Sequence, residues 1–166
     1  MRRCLPIFLV LIFALAACHA KDAGQAGRVA PDFRADDLTG RTVYLNAEIK
    51  RPVVLTFFAT WCVPCRDEVP LLIDLHRRFG ERVGFLCVAV DPENVDKIRS
   101  FVNDVNVPYP MLLDQDRKIM SAYGVDALPA TFVIGVDGRI RSVFSRIGEQ
   151  EARLLADELT RLLEKP

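Results

Sequence analysis

The sequence predicts an α/β fold built on one central mixed sheet with flanking helices. Three observations carry that reading. The run PVVLTFFA at residues 52–59 is apolar at consecutive positions, the pattern of a central strand covered on both faces. Strand-like and helix-like segments alternate from there to Tyr123. Two further strand-like runs, 131–135 and 139–144, then flank the turn VDG, an antiparallel hairpin in which Gly138 supplies backbone freedom.

Taken in order, Thr42 to Leu45 reads as a short strand, followed by a turn into the strong strand at 52–59. A helix should begin around Cys62 and end at Phe79, with Pro64 in its first turn and Gly80 as its stop. Val69, Leu72, Ile73, His76 and Phe79 fall on one stripe, which should cover the sheet. Pro70 lies inside this helix and cannot donate to the carbonyl four residues back, so a kink is expected there. Val83 to Val90 reads as the next strand, Asn94 to Val105 as a helix and Asp116 to Tyr123 as a shorter one. After Gly148, the leucines at 154, 155, 159, 162 and 163 mark a terminal amphipathic helix.

Arg2 and Arg3 precede a largely apolar stretch from Cys4 to Cys18, which is the charge and length pattern of an export signal. Fifteen residues make about 22 Å of helix against a hydrocarbon core of roughly 30 Å, so a permanent transmembrane anchor is the weaker reading. Leu15-Ala16-Ala17-Cys18 resembles the bacterial lipobox, in which a signal peptidase cuts before a cysteine that receives lipid. Ordinary cleavage near Ala20 and an uncleaved anchor are the competing fates. The expected organisation is a lipoprotein signal peptide at 1–17, a lipidated N-terminus and tether at 18–30, and one domain at 31–166. His19 stands where some Gram-negative lipoproteins carry the aspartate of inner-membrane retention, which tilts the expected location towards the outer membrane, facing the periplasm, with the outer face of the cytoplasmic membrane as the alternative. An exported location lets disulfides persist. The 22 basic and 22 acidic residues cancel, and no basic stripe concentrates charge, so an electrostatic nucleic-acid binder is excluded.

Cys62 and Cys65 stand three apart at the start of a helix, where unpaired amides and the positive dipole end stabilise a thiolate on Cys62. Such a thiolate attacks a partner disulfide, and Cys65 then resolves the mixed disulfide intramolecularly. Two other readings compete. A structural zinc needs about four ligands, and no second C-x-x-C or compact Cys/His cluster is present, so neither a metal nor a cofactor is expected. A purely structural disulfide across so short a loop removes little unfolded-state entropy. Cys87, in VGFLCVAV, and His76 read as packing residues.

WCVPC followed by RDEVP, with the strand before and the helix after, resembles the thioredoxin-fold disulfide oxidoreductases, specifically the membrane-tethered TlpA/ResA-like branch. The resemblance spans Val29 to Glu164 and gives Pro70 a family precedent. It implies a thioredoxin-like fold with an αβ insertion within 91–114, and a cis Leu128-Pro129 bond facing the dithiol, where Leu128 pairs with an extended partner peptide. It further implies that Glu68 is buried near the dithiol and handles protons. Thr56 stands where general thioredoxins often carry a buried aspartate, which puts more weight on Glu68. Trp61, Val63 and Pro64 should contribute to the partner surface, with Trp61 limiting solvent access to the sulfurs. The implied activity is reduction of disulfides in exported proteins. Apocytochrome c and a copper-binding protein are the candidate substrates, and a membrane thiol-disulfide protein is the electron donor. Oxidising or isomerising exchange, a peroxiredoxin-type peroxidase and a non-catalytic redox-linked binding module remain the alternatives.

Overall fold

Each residue of the strand Val53–Phe58 is buried, and it pairs on both edges, so this segment is the middle of the molecule. The computed structural model describes residues 25–91 and 95–164. In chain order the elements are β1 (Arg34–Asp36), β2 (Thr42–Tyr44), α1 (Leu45–Glu48), β3 (Val53–Phe58), α2 (Val63–Phe79), β4 (Gly84–Ala89), α3 (Val95–Val105), β5 (Met111–Leu113), α4 (Lys118–Ala122), β6 (Ala130–Ile134), β7 (Ile140–Phe144) and α5 (Glu149–Glu164). The main sheet has the order β5-β4-β3-β6-β7, and β1 with β2 forms a separate two-stranded ribbon. β3, β4 and β5 run parallel, whereas β6 and β7 are antiparallel to their neighbours. This is the thioredoxin-like mixed sheet expected, and α3 with β5 forms the inserted αβ unit between β4 and α4.

The two crossovers β3-α2-β4 and β4-α3-β5 step the same way across the sheet, and right-handed connections therefore put α2 and α3 on one face. Side-chain alternation gives Val54, Thr56 and Phe58 to that face and Leu55 and Phe57 to the other. Accordingly Phe58 stacks on Phe101 of α3, with ring centroids 5.0 Å apart. On the far face Phe57 and Phe132 close around Tyr123, at 5.6 and 5.0 Å, and the Tyr123 hydroxyl donates to Pro31 O at 2.9 Å. α2 runs unbroken through Pro70, which is exposed, so the missing amide removes one rung without ending the helix.

Several expectations shift. β1, α1 and β5 carried no periodic signal, because three- and four-residue elements hold one or two apolar positions each. The short helix begins at Lys118 instead of Asp116, because the buried Asp114 carboxylate accepts from the amides of Ile119 at 3.1 Å and Met120 at 2.8 Å. Residues 25–30, expected within the tether, lie along the outer edge of β7. Gly27 N donates to Ile140 O at 2.7 Å, Ile140 N to Arg28 O at 2.9 Å and Ala30 N to Gly138 O at 2.8 Å. An edge strand offers unpaired backbone groups to whatever chain passes, a feature that composition does not reveal. The packed body therefore starts by Gln25. Cys18 and the segment 1–17 lie outside the described residues.

In α5, Leu155 and Leu159 are buried but Leu154 is 51% exposed, because five leucines within ten residues exceed one helical face. Leu159→Ala should therefore cost about 2–5 kcal/mol, whereas Leu154→Ala should stay within about 0.5 kcal/mol, as read from denaturant midpoints. Equal losses would contradict this register.

Candidate active site

β3 ends at Phe58, and after a three-residue turn the chain enters α2 with Cys62 as its N-cap. Cys62 N donates to Ala59 O at 3.1 Å, and the Cys65 amide donates to Cys62 Sγ at 3.2 Å. Pro64 follows in the first turn, where its missing N–H costs nothing. The first turn holds no acidic residue to compete with a Cys62 thiolate for its amides, and Arg77 and Arg78 in the last turn meet the negative end of the macrodipole. Cys62 and Cys65 are joined, with S–S 2.07 Å and Cα–Cα 5.3 Å. Cys62 is 5% exposed and Cys65 1%, so Cys62 is the more accessible sulfur-bearing residue.

Asp91, buried at the end of β4, pins the turn before Cys62 by accepting from both the amide of Thr60, at 2.9 Å, and its hydroxyl. The other Asp91 oxygen is buried without a hydrogen-bond partner among the described residues. Sequence reasoning passed over this clamp, since an aspartate after a strand carries no distinguishing pattern.

The register sets the opposite wall. Phe57 pairs with Ala130, so Pro129 stands across from Phe58 at the dithiol end of the sheet. The Leu128-Pro129 bond is cis. Pro129 is buried and Leu128 half-buried, and with Val125, Phe132 and Val143 they line an apolar groove of about 320 Å³. Trp61 is 65% exposed, and Val63 is exposed beside it. The indole itself is thus largely open to solvent, while Cys62 and Cys65 are buried. It borders a cleft of about 530 Å³ shared with Arg66, Lys97 and Phe101.

Glu68 lies on α2 one turn beyond Cys65 and is 2% exposed. Its Oε2 accepts from Ile147 N at 2.9 Å, and the Thr56 hydroxyl also hydrogen-bonds the carboxyl. Thr131 Oγ1 in turn donates to Thr56 Oγ1 at 2.9 Å, which leaves the Thr56 proton free for Glu68. Burial pushes the Glu68 carboxyl up to about 7, against the Ile147 and Thr56 hydrogen bonds and the attraction of Arg146, all of which favour the anion. Thr56 thus helps seat the acid on α2. Neither Ile147 nor Thr131 was foreseen, because a backbone amide has no sequence signature and the Thr56–Thr131 pair exists only through strand register.

Cys87 is buried beside Thr56 in the register, and burial, reinforced by Glu68 and Asp91, holds its thiol well above the usual range. His76 is half-buried, with its ring 5.3 Å from Phe85 and 5.7 Å from Tyr109. Among the described residues no cluster of His, Cys, Asp or Glu is arranged to hold a metal, and no helix is long and apolar enough to cross a membrane.

The AhpC/TSA family model matches residues 26–143. The thiol-disulfide oxidoreductase ResA of Bacillus anthracis is 34% identical over 143 residues, covering 86% of this chain and 81% of that one. The chain belongs to the AhpC/TSA family, in its ResA-like thiol-disulfide oxidoreductase branch. Among solved structures, a secreted Mycobacterium tuberculosis disulfide oxidoreductase homologous to E. coli DsbE shares 25% identity at a TM-score of 0.69, covering 78% of this chain and 96% of that one. The peroxidoxin BcpB of Mycobacterium tuberculosis shares 27% identity at 0.71, covering 86% and 98%. The ResA-like chain is a thiol-disulfide oxidoreductase, with the Cys62–Cys65 disulfide as its redox-active pair.

Glu68 makes the stability of this ResA-like domain depend on pH. Its folded value of about 7 lies above the ordinary 4.5, so between the two the folded state binds the proton more tightly than the unfolded chain does. Stability from this group is therefore full below pH 4.5, falls as pH rises towards 7 and levels off above. At about 1.4 kcal/mol per pH unit the loss reaches on the order of 3 kcal/mol. Glu68→Gln keeps an acceptor for Ile147 N and should flatten that slope in denaturant melts of the oxidised protein. A slope unchanged by the substitution would assign the pH dependence elsewhere.

Proposed function

We propose that this oxidoreductase reduces disulfides in exported proteins, with Cys62 as attacking and Cys65 as resolving sulfur. The Cys62 thiolate attacks one sulfur of the partner disulfide, and the other partner sulfur leaves as a thiolate that takes a proton. Cys65 gives its proton to the Glu68 carboxylate and attacks Cys62 Sγ. The second partner sulfur leaves, takes a proton, and Cys62–Cys65 is again a disulfide. Two electrons and two protons have passed to the partner. The observation that carries this reading is Glu68 itself, a buried acid with a value near 7 on the same helix as Cys65 and one turn away.

Trp61, Val63 and Pro64 form one lip of the partner surface in this reading, and Leu128 with Pro129 forms the other, where an extended segment pairs with backbone. The reductive direction rests on the resemblance of the Val63-Pro64 and Glu68 context to reducing members of the branch. The substrates proposed are apocytochrome c, whose haem-binding cysteines must be reduced before attachment, or a copper-binding protein whose dithiol must stay reduced. A membrane thiol-disulfide protein replenishes the electrons. Removal of residues 1–17 and lipidation of Cys18 would hold the domain at a membrane surface facing the periplasm, with the outer membrane slightly favoured.

Cys65→Ala should accumulate mixed disulfides through Cys62 in the producing organism, and mass spectrometry of the captured partners names the substrate. Failure to capture any partner while the intact pair turns over would count against the assigned roles. The rate of resolution should rise with pH through about 7 and lose that limb in Glu68→Gln. The likeness to the peroxidoxin supports one second reading, peroxide reduction. Turnover of hydrogen peroxide by the purified domain at rates comparable to disulfide exchange would favour it.

A further inference from the structure

The place where the chain enters the domain decides which end a membrane tether holds. Ala30 N bonds Gly138 O, Val29 bridges Arg139 in antiparallel fashion and Gly27 N bonds Ile140 O. Going back from Ala30 to Gly27 therefore runs along β7 from its start towards Phe144, and residues 25–28 then close a turn, with Arg28 N donating to Gln25 O at 3.3 Å. Phe144 pairs with Thr131, and the neighbouring Ala130 pairs with Phe57, one residue from the end of β3 that leads to Cys62. The Gln25 side chain reaches towards that end. Its Nε2 donates to Tyr123 O at 3.0 Å, and it lines the same groove as Leu128 and Pro129. The β6–β7 turn with Gly138, the C-cap Gly80 of α2 and the following Arg82 all lie at the other end of the sheet.

Six residues, 19–24, lie between Cys18 and Gln25, which makes seven Cα–Cα steps. Fully extended they reach at most about 25 Å. A domain of this size has a radius of gyration of about 14 Å, so the tether is shorter than the domain is wide. An anchor at Cys18 consequently draws the Gln25 end inward and leaves the Arg82 end outward.

The geometry points to a membrane-facing dithiol: the tether presents the Cys62–Cys65 end to the bilayer and restricts exchange to cysteine pairs held in the layer next to it. This rests on the lipid-anchored reading above. The partner class is a protein segment attached to, or emerging from, the same membrane and extended enough to lie across the groove at Leu128 and Pro129. A disulfide on a freely diffusing globular protein would meet the dithiol no faster than if the domain were untethered.

Trp61 is the sole tryptophan and stands exposed at the dithiol end, so it serves as a built-in probe. The full gene product is recovered from its membrane and placed in vesicles carrying dansyl-labelled headgroups, and energy transfer is compared with that of the Trp61→Phe/Arg82→Trp variant. Transfer from position 61 should exceed transfer from position 82. Inserting twenty Gly/Ser residues between Asp22 and Ala23 should lower the rate at which the reduced protein reduces a lipid-anchored disulfide peptide by about eightfold, through the fall in effective concentration with tether length. The rate on the same peptide in solution should not change. Equal or greater transfer from position 82, or an anchored-peptide rate unmoved by the insertion, would overturn the inference. Acyl chains on Cys18 in the mature mass separate the cases: their presence with no orientational bias defeats only this inference, whereas an unmodified secreted chain defeats the tether itself.

Discussion

Because β3 is hydrogen-bonded on both edges and covered on both faces, the point at which it stops is among the best-fixed places in the molecule. The chain must leave the sheet there and turn into α2 within a few residues. Cys62 consequently meets the exposed amides of a helix start, and the Cys65 amide already points at its sulfur. Asp91 holds the turn from the side, and Pro129 closes it from the neighbouring strand. The reactive pair needs no mobile loop to assemble it, because strand pairing and helix geometry leave it nowhere else to go.

The same rigidity explains how a carboxyl group is kept inside. Glu68 is deprived of water, which favours its neutral form, yet it accepts a backbone hydrogen bond from Ile147 and sits near Arg146, both of which favour the charged form. The balance leaves the group able to hold or release a proton near neutrality. Thr56, at the position where general thioredoxins often place an acid, supplies a hydroxyl to this carboxyl and is itself held by Thr131. The ionisable group here lies on the helix, the same element as Cys65.

Likeness to both a disulfide oxidoreductase and a peroxidoxin shows that this scaffold carries more than one sulfur chemistry. What separates the chemistries is local. Here the second sulfur lies one helical turn from the first and is already bonded to it, the geometry that intramolecular resolution requires. The inserted α3 stacks Phe101 on Phe58 of the central strand and builds the far wall of the cleft beside Trp61.

The sequence by itself determined the central strand, the helix start at the two cysteines, the hairpin and the proline before β6, because each depends on local patterning or on the backbone limits of Pro and Gly. It also marked Glu68 as the acid to examine, through its place in the motif. Tertiary structure decided what surrounds that acid, since Ile147 and Thr131 lie far from it in sequence and arrive only through packing and strand register. It decided the docking of residues 25–30 on the edge of β7, which follows from unpaired backbone groups and not from side-chain pattern. It decided too that Asp114 starts α4 and that Leu154 faces water, because a carboxylate several residues upstream and a choice among adjacent leucines are settled by where the sheet lies. Local pattern fixes which segments become strands and helices; only the assembled fold fixes which polar atoms those segments bring within reach of one another.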